Sequence, residues 1–294
     1  MEWLRNLNNA INYIEENLEG TISYDEAARI ACCSTSYFQR MFAYVAGLSL
    51  SEYIRCRKMT QAAFELQSGE LKVLDIGLKY GYMSPTAFNR AFKSVHGISP
   101  IVARRTGVKL NSYLPLKLTV QVLGGENMPY QLEKKESIRV VGMRIPLSND
   151  MEKNQKFVPE FWKEVLQGDS IKELCKLENK GLEGILGVTA YINPQKIYYY
   201  IGVATEMEIP ASMYELKIPA TDWVVFKCNG PYKESVQNIF KRFLTEWLPF
   251  SGYQYAELPD LEVYPKYEKD QLSGCCEVWI AVRKDNNDEI SSGN

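Results

Sequence analysis

Between Asp25 and Ser99 the chain repeats itself at an interval of fifty residues. Asp25 matches Asp75, Ser34 matches Ser84, Phe38 matches Phe88, Arg40 matches Arg90, Phe42 matches Phe92, Val45 matches Val95, Gly47 matches Gly97 and Ser49 matches Ser99. Each copy reads as a short helix, a turn entered near a serine cap, and a second helix closed by glycine. That is the helix-turn-helix pattern. Two such units on one chain could fill two successive major-groove segments, roughly 34 Å apart, without a dimer, so a monomer and an asymmetric operator are expected.

At 294 residues with 46% hydrophobic content, the chain has material for two soluble domains. It contains no run of eighteen apolar residues, and Met1 to Asn9 lacks a basic stretch followed by an apolar one, so no membrane is expected and the cytoplasm is. The seven cysteines (Cys32, Cys33, Cys56, Cys175, Cys228, Cys275 and Cys276) show no Cys-x-x-Cys spacing and read as reduced, mostly buried residues rather than metal ligands. Cys275 and Cys276 are the pair at which redox sensing would sit. Glycine-rich phosphate loops are missing, so no cofactor is expected.

The net charge of -2 averages over unlike halves. Residues 1–110 carry 13 Lys and Arg against 10 Asp and Glu, while residues 71–110 carry seven bases and the single acid Asp75. The second repeat can therefore attract phosphate. Helical spacing places Phe38, Met41, Phe42 and Val45 on one face of the first reading helix, leaving Thr35, Ser36, Gln39 and Arg40 outside. In the second, Phe88, Ala91, Phe92 and Val95 turn inward, and Thr86, Asn89, Arg90 and Lys93 face out. These side chains can hydrogen-bond base edges. A bundle of two helical hairpins with solvated arginines is the bland alternative. On the helix expected between the repeats, Arg55, Arg57 and Lys58 either touch phosphate or pin the halves through a carboxylate such as Asp75; the residues leave both open.

From Gly107 to Met128 periodicity fades, which marks a linker. Beyond it, seven stretches rich in Val, Ile, Tyr and Trp read as strands: 140–147, 184–192, 197–205, 213–218, 223–228, 261–267 and 276–282. Two helices, near 156–166 and 232–248, interrupt them, so strand, helix, strand, strand occurs twice. The expected domains are 1–107, a linker at 108–127, 128–284, and a polar tail at 285–294.

The segments SYFQRMFAYVAGLSLSEYIRCRKMTQA (36–62) and LDIGLKYGYMSPTAFNRAFKSVHGISP (74–100) resemble the DNA-binding domain of AraC/XylS-type transcriptional regulators. The resemblance implies an all-α, homeodomain-like double helix-turn-helix domain with double-stranded DNA as partner; RNA polymerase is a further candidate partner. Its DNA-facing places fall on Tyr37, Gln39 and Arg40 and on Thr86, Asn89 and Arg90; Ser36 and Lys93, on the outward helix faces, complete the candidate DNA-binding set. Pro85 and Ala87 stand where some relatives carry polar residues. The second half, with WVVFKCNGPYKES and CCEVWIAV, is similar to GyrI-like effector-binding domains, an α+β fold of two strand-helix-strand-strand modules, here behind the DNA-binding domain in a Rob-like order.

That likeness implies a small hydrophobic effector, cationic ones included. A buried cation needs a carboxylate and flat rings. Glu277 resembles the family's ligand-facing glutamate, and alternation puts Trp279 on its face. Trp162, Tyr199, Trp223, Phe226 and Tyr232 are candidate walls, and Glu262 in DLEVY is the second candidate acid. Read without the family, Glu277 is a solvated residue of an edge strand. The single histidine, His96, lies in the first half, so no His-based catalytic set is expected in the second and no enzyme is expected. A Glu277-dependent hydrolase and a ligand-free interaction module are the alternatives.

Overall fold

A computed structural model describes residues 2–119, 127–148, 151–177, 181–193, 196–264 and 273–284. The expected polar tail, the later part of the expected linker and the end of the strand expected to reach Tyr267 lie outside these residues. The chain divides into two units, Met1–Gln121 and Val122–Asn294. Among the described residues, no helix is long and apolar enough to cross a membrane.

The first unit is helical: α1 (Glu2–Glu16), α2 (Tyr24–Ile30), α3 (Thr35–Ala46), α4 (Leu50–Ser68), α5 (Val73–Lys79), α6 (Pro85–His96) and α7 (Pro100–Ala103). The repeat is visible in the caps. Ser34 accepts a hydrogen bond from the Tyr37 amide at the start of α3, and Ser84 accepts one from Ala87 at the start of α6. Gly47 and Gly97 close the same helices with left-handed φ of 73° and 77°. Phe88, Phe92, Ile76 and Tyr80 pack on Met59, Ala62, Ala63 and Leu66 of α4, which supplies the core of the second helix-turn-helix. Each fully buried phenylalanine contributes about 1.5–3 kcal/mol by leaving water.

Of the three bases on α4, two are buried, and neither turns to Asp75. The Arg57 guanidinium pairs with Glu15 of α1 at 2.6 Å, and Glu15 also accepts from the Tyr53 hydroxyl at 2.6 Å. Lys58 donates to the carbonyls of Gly20 and Tyr80, joining the segment after the first helix to the turn of the second helix-turn-helix. That junction is tight. A Cβ on Gly81, whose φ is +84°, would lie 2.8 Å from the Gly20 oxygen, so glycine is required there twice over. Arg55 pairs with Glu52 along the helix.

Residues 108–119 are not a free linker. The Leu116 amide donates to the Tyr53 hydroxyl (2.9 Å), Leu118 and Asn8 exchange two bonds of 2.9 Å, and the Tyr113 amide donates to Thr60 (3.1 Å). Irregular backbone satisfies its polar groups on side chains where no ladder is available. His96 is built into the same strap, between the Met59 carbonyl and the Asn111 amide.

The second unit contains β1 (Gln131–Lys135), β2 (Ile138–Leu147), α8 (Met151–Gln167), α9 (Ser170–Lys176), β3 (Ile185–Asn193), β4 (Lys196–Ala204), β5 (Tyr214–Ile218), β6 (Thr221–Pro231), α10 (Tyr232–Arg242), β7 (Tyr253–Tyr255), β8 (Asp260–Tyr264) and β9 (Ser273–Lys284). A π-helical turn, Phe243–Trp247, prolongs α10. The antiparallel sheet runs β1-β6-β9-β8-β3-β4-β2-β5, with β7 on β9. The two modules, β2-α8-β3-β4 and β6-α10-β8-β9, thus meet at a β3–β8 seam. Each short lead strand is exchanged: β1 precedes β2 but pairs with β6, and β5 precedes β6 but pairs with β2. The exchange brings Ile138, Ile218, Trp223, Tyr200 and Trp279 into one core on one sheet face. On the other face, Phe161 and Val165 of α8 pack with Tyr199, Ile201 and Val203.

Replacing Arg57 with Met leaves the Glu15 carboxylate without its cation and should cost the first unit on the order of 3 kcal/mol. Hydrogen exchange of the full chain reports this as faster amide exchange in α1 and α4; unchanged exchange there would show that the pair holds nothing.

Candidate functional site

Two surfaces carry candidate functional residues. On α6, the proline at the first helical position and the Ser84 cap set a helix whose Phe88, Phe92 and Val95 are buried. The opposite side presents Thr86, Asn89, Arg90 and Lys93, all exposed. The corresponding face of α3 departs from expectation. Ser36 and Gln39 are half-buried, while Tyr37 and Arg40 are only 8% and 9% exposed. The repeat supplies the reason: Tyr37 occupies the place of Ala87, and the Arg40 guanidinium lies 6.0 Å from the Tyr37 ring. Arg90 has no such ring one turn before it and stays in solvent.

In the second unit the seam carries the chemistry. Five register pairs join β3 to β8, and the central one is Gly187 opposite Glu262. The Glu262 carboxyl is partly buried and accepts hydrogen bonds of 2.8 Å from both the Tyr199 and Tyr264 hydroxyls. Trp162 of α8 donates from its indole nitrogen to Tyr199 at 3.0 Å. Tyr264 meets Trp162 and Tyr232 edge to face, with centroids 5.1 Å and 5.0 Å away. Loss of water pushes the Glu262 pKa up, and the two hydroxyls only partly offset it. The same burial, beside Glu262, raises the Tyr264 hydroxyl well above its usual value, so it stays a donor.

Glycine at 187 is a steric condition of this arrangement. A Cβ there would lie 2.4 Å from the Tyr199 hydroxyl and 2.9 Å from the Glu262 carboxylate.

The structure thus gathers Trp162, Tyr199, Tyr232 and the second-choice acid Glu262, and adds Tyr264. Tyr264 lies two residues from Glu262 on one strand, a spacing that could have found it. Glu277, Trp279 and Trp223 are not in this group. Register pairs Glu262 with Val278, so Glu277 points to the opposite face, where it accepts from the Trp279 indole at 2.9 Å and lies 3.8 Å from Lys227. Trp223 is fully buried on that face, 6.1 Å from Trp279. Phe226 shares the Glu262 face but packs with Tyr130, Phe243 and Trp247.

Residues 27–106 match the family described as a helix-turn-helix domain, and residues 131–282 match integron-associated effector binding proteins. HTH-type transcriptional activator AarP of Providencia stuartii is 39% identical over 105 residues, covering 36% of this chain and 78% of AarP. The chain belongs to the AraC-type transcription regulators that carry a Cass2/GyrI-like effector-binding domain. Multiple antibiotic resistance protein MarA of Escherichia coli K12 is 32% identical to the regulator over 103 residues, covering 35% of this chain and 81% of MarA. Among solved structures, SAV2435 bound to tetraphenylphosphonium has a TM-score of 0.47 and 23% identity, covering 53% of the regulator and 94% of that protein.

Gly187→Ala should separate Tyr199 from Glu262 and destabilise the second unit by about 1–3 kcal/mol. Thermal unfolding of the full chain measures the loss; an unchanged melting profile would mean that the seam absorbs a methyl group.

Proposed function

We propose that the regulator reads DNA chiefly through α6, with Thr86, Asn89, Arg90 and Lys93 on the groove face and Ser36 and Gln39 adding contacts from α3. Its second half responds to a lipophilic cation that docks on Glu262 between Trp162, Tyr199, Tyr232 and Tyr264. The observation that carries the effector reading is a carboxyl that, among the described residues, is held by two neutral hydroxyls in a ring of aromatics. An ionised Glu262 there is poorly solvated, and a cation with apolar surface would restore its balance while stacking on the rings. Trp162, Tyr232, Tyr264 and Glu262 are each partly exposed, so a ligand can reach them.

The DNA reading is supported by four exposed polar side chains on the side of α6 opposite its buried phenylalanines. Arg40 and Tyr37, covered by their neighbours, take a positioning role. Half-exposed Leu74 and Leu78, one turn apart on α5, support a protein contact such as RNA polymerase. The structural role of His96 supports a regulator over a hydrolase, since the only imidazole of the chain is held between backbone groups and burial lowers its pKa. A DNA partner also favours the cytoplasm.

On a duplex selected from random sequence, Arg90→Ala should lose about 1–3 kcal/mol of specific affinity, whereas Lys93→Ala should lower the salt slope by about 1. If both variants bind every duplex as the parent does, α6 is not the reading helix. For the effector, tetraphenylphosphonium titrated against tryptophan fluorescence is the probe. The folded carboxyl has a raised pKa, so its charge, and with it cation binding, is present above that pKa and lost as pH falls through it. Affinity should fall about tenfold per pH unit below that point. Glu262→Gln should bind weakly at all pH, and Glu277→Gln should behave as the parent. Equal affinity of the parent and Glu262→Gln would remove Glu262 from the site.

A further inference from the structure

On the Glu262 face of the sheet, β6 and β9 set two thiols directly opposite one another. Cys228 and Cys276 are register partners, and their sulfurs lie 2.8 Å apart. Opposed residues of an antiparallel pair have side chains on the same face and close together, so the two sulfurs can meet without moving the backbone far. Their exposures differ usefully: Cys276 is buried, while Cys228 is partly open to solvent. The adjacent Cys275 is exposed, pairs in register with Asn229, and as the next residue on the strand points to the other face.

We propose that Cys228 and Cys276 are an oxidative modification site: a dithiol that closes to a disulfide when a peroxide reaches Cys228. The Cys228 thiolate attacks one peroxide oxygen, the O–O bond breaks, and the leaving hydroxide takes a proton to become water. Cys228 is then a sulfenic acid. The Cys276 sulfur, its proton passing to the departing hydroxyl, displaces that group as a second water and forms the S–S bond. Two thiols are oxidised, one hydrogen peroxide is reduced, and two waters leave. Cys228, the more exposed of the two, is the attacking sulfur; the hydrogen bond between the sulfurs holds the Cys228 pKa below the ordinary thiol value and pushes that of Cys276 up. Glu262 opposes the charge on both sulfurs, so it acts as a brake on the first step.

The reduced full-length chain is treated with graded hydrogen peroxide, and remaining thiols are mapped by alkylation and peptide mass spectrometry. Cys228 and Cys276 should lose alkylation together, as one linked peptide pair reversed by dithiothreitol, at doses where the exposed Cys32, Cys175 and Cys275 still react. With Cys276→Ser, oxidation should stop at a dimedone-trapped sulfenic acid on Cys228. With Glu262→Gln, closure should be several-fold faster. Full alkylation of Cys228 and Cys276 after the exposed cysteines have oxidised would overturn the proposal, as would a link through Cys275. No effector enters this assay, so its failure is separate from failure of the cation site.

Discussion

A carboxylate at the centre of a strand seam is the constraint around which the second unit is arranged. Glu262 cannot be ionised there without help, and the help is specific: two tyrosine hydroxyls converge on one oxygen, and one of them is itself held by the Trp162 indole. These bonds tie α8 to β4 and β8 across the boundary between modules. They also require that the residue facing Glu262 on β3 have no side chain, which Gly187 satisfies. Remaining lone pairs and the raised pKa leave the site short of positive charge. A lipophilic cation would meet that need, and the same unmet charge is felt by the Cys228 and Cys276 sulfurs beside it.

The first unit solves a different problem, the fixed placement of α3 and α6, the second helices of its two helix-turn-helix repeats. Apolar packing on α4 fills the second helix-turn-helix, but direction is set by cations. Arg57 anchors α1 through Glu15, and Lys58 spans from Gly20 to Tyr80. Lysine suits the second task because its ammonium can serve two carbonyls at once, as burial lowers its pKa without an acid alongside. Spending these bases on structure takes them away from phosphate, so the proposed DNA contact rests more on the exposed charges of α6.

Much of this was legible in the chain because cap chemistry and repeat spacing are local. Ser34 and Ser84, Gly47 and Gly97 mark the same four helix ends in sequence and in space. Local rules did not reveal Arg40, whose fate depends on the one repeat position where Tyr37 and Ala87 differ. They also could not separate Glu262 from Glu277. Both sit in an acid-Val-aromatic run, Glu262-Val263-Tyr264 and Glu277-Val278-Trp279, and alternation gives the shared face within a strand, not which sheet face the helices cover. Register decides it, through the pairing of Glu262 with Val278. The sequence of the strap at 108–119 reads as linker because its bonds run to side chains far away in sequence and leave no periodic trace.

The most direct measurement is the ionisation of Glu262 itself. With carboxyl-labelled glutamate in the full chain, the Glu262 resonance, assigned by its loss in Glu262→Gln, is followed against pH with and without tetraphenylphosphonium. Its midpoint should lie above the ordinary glutamate range in the free protein and fall when the cation binds. A midpoint in the ordinary range that the cation does not move would contradict the account.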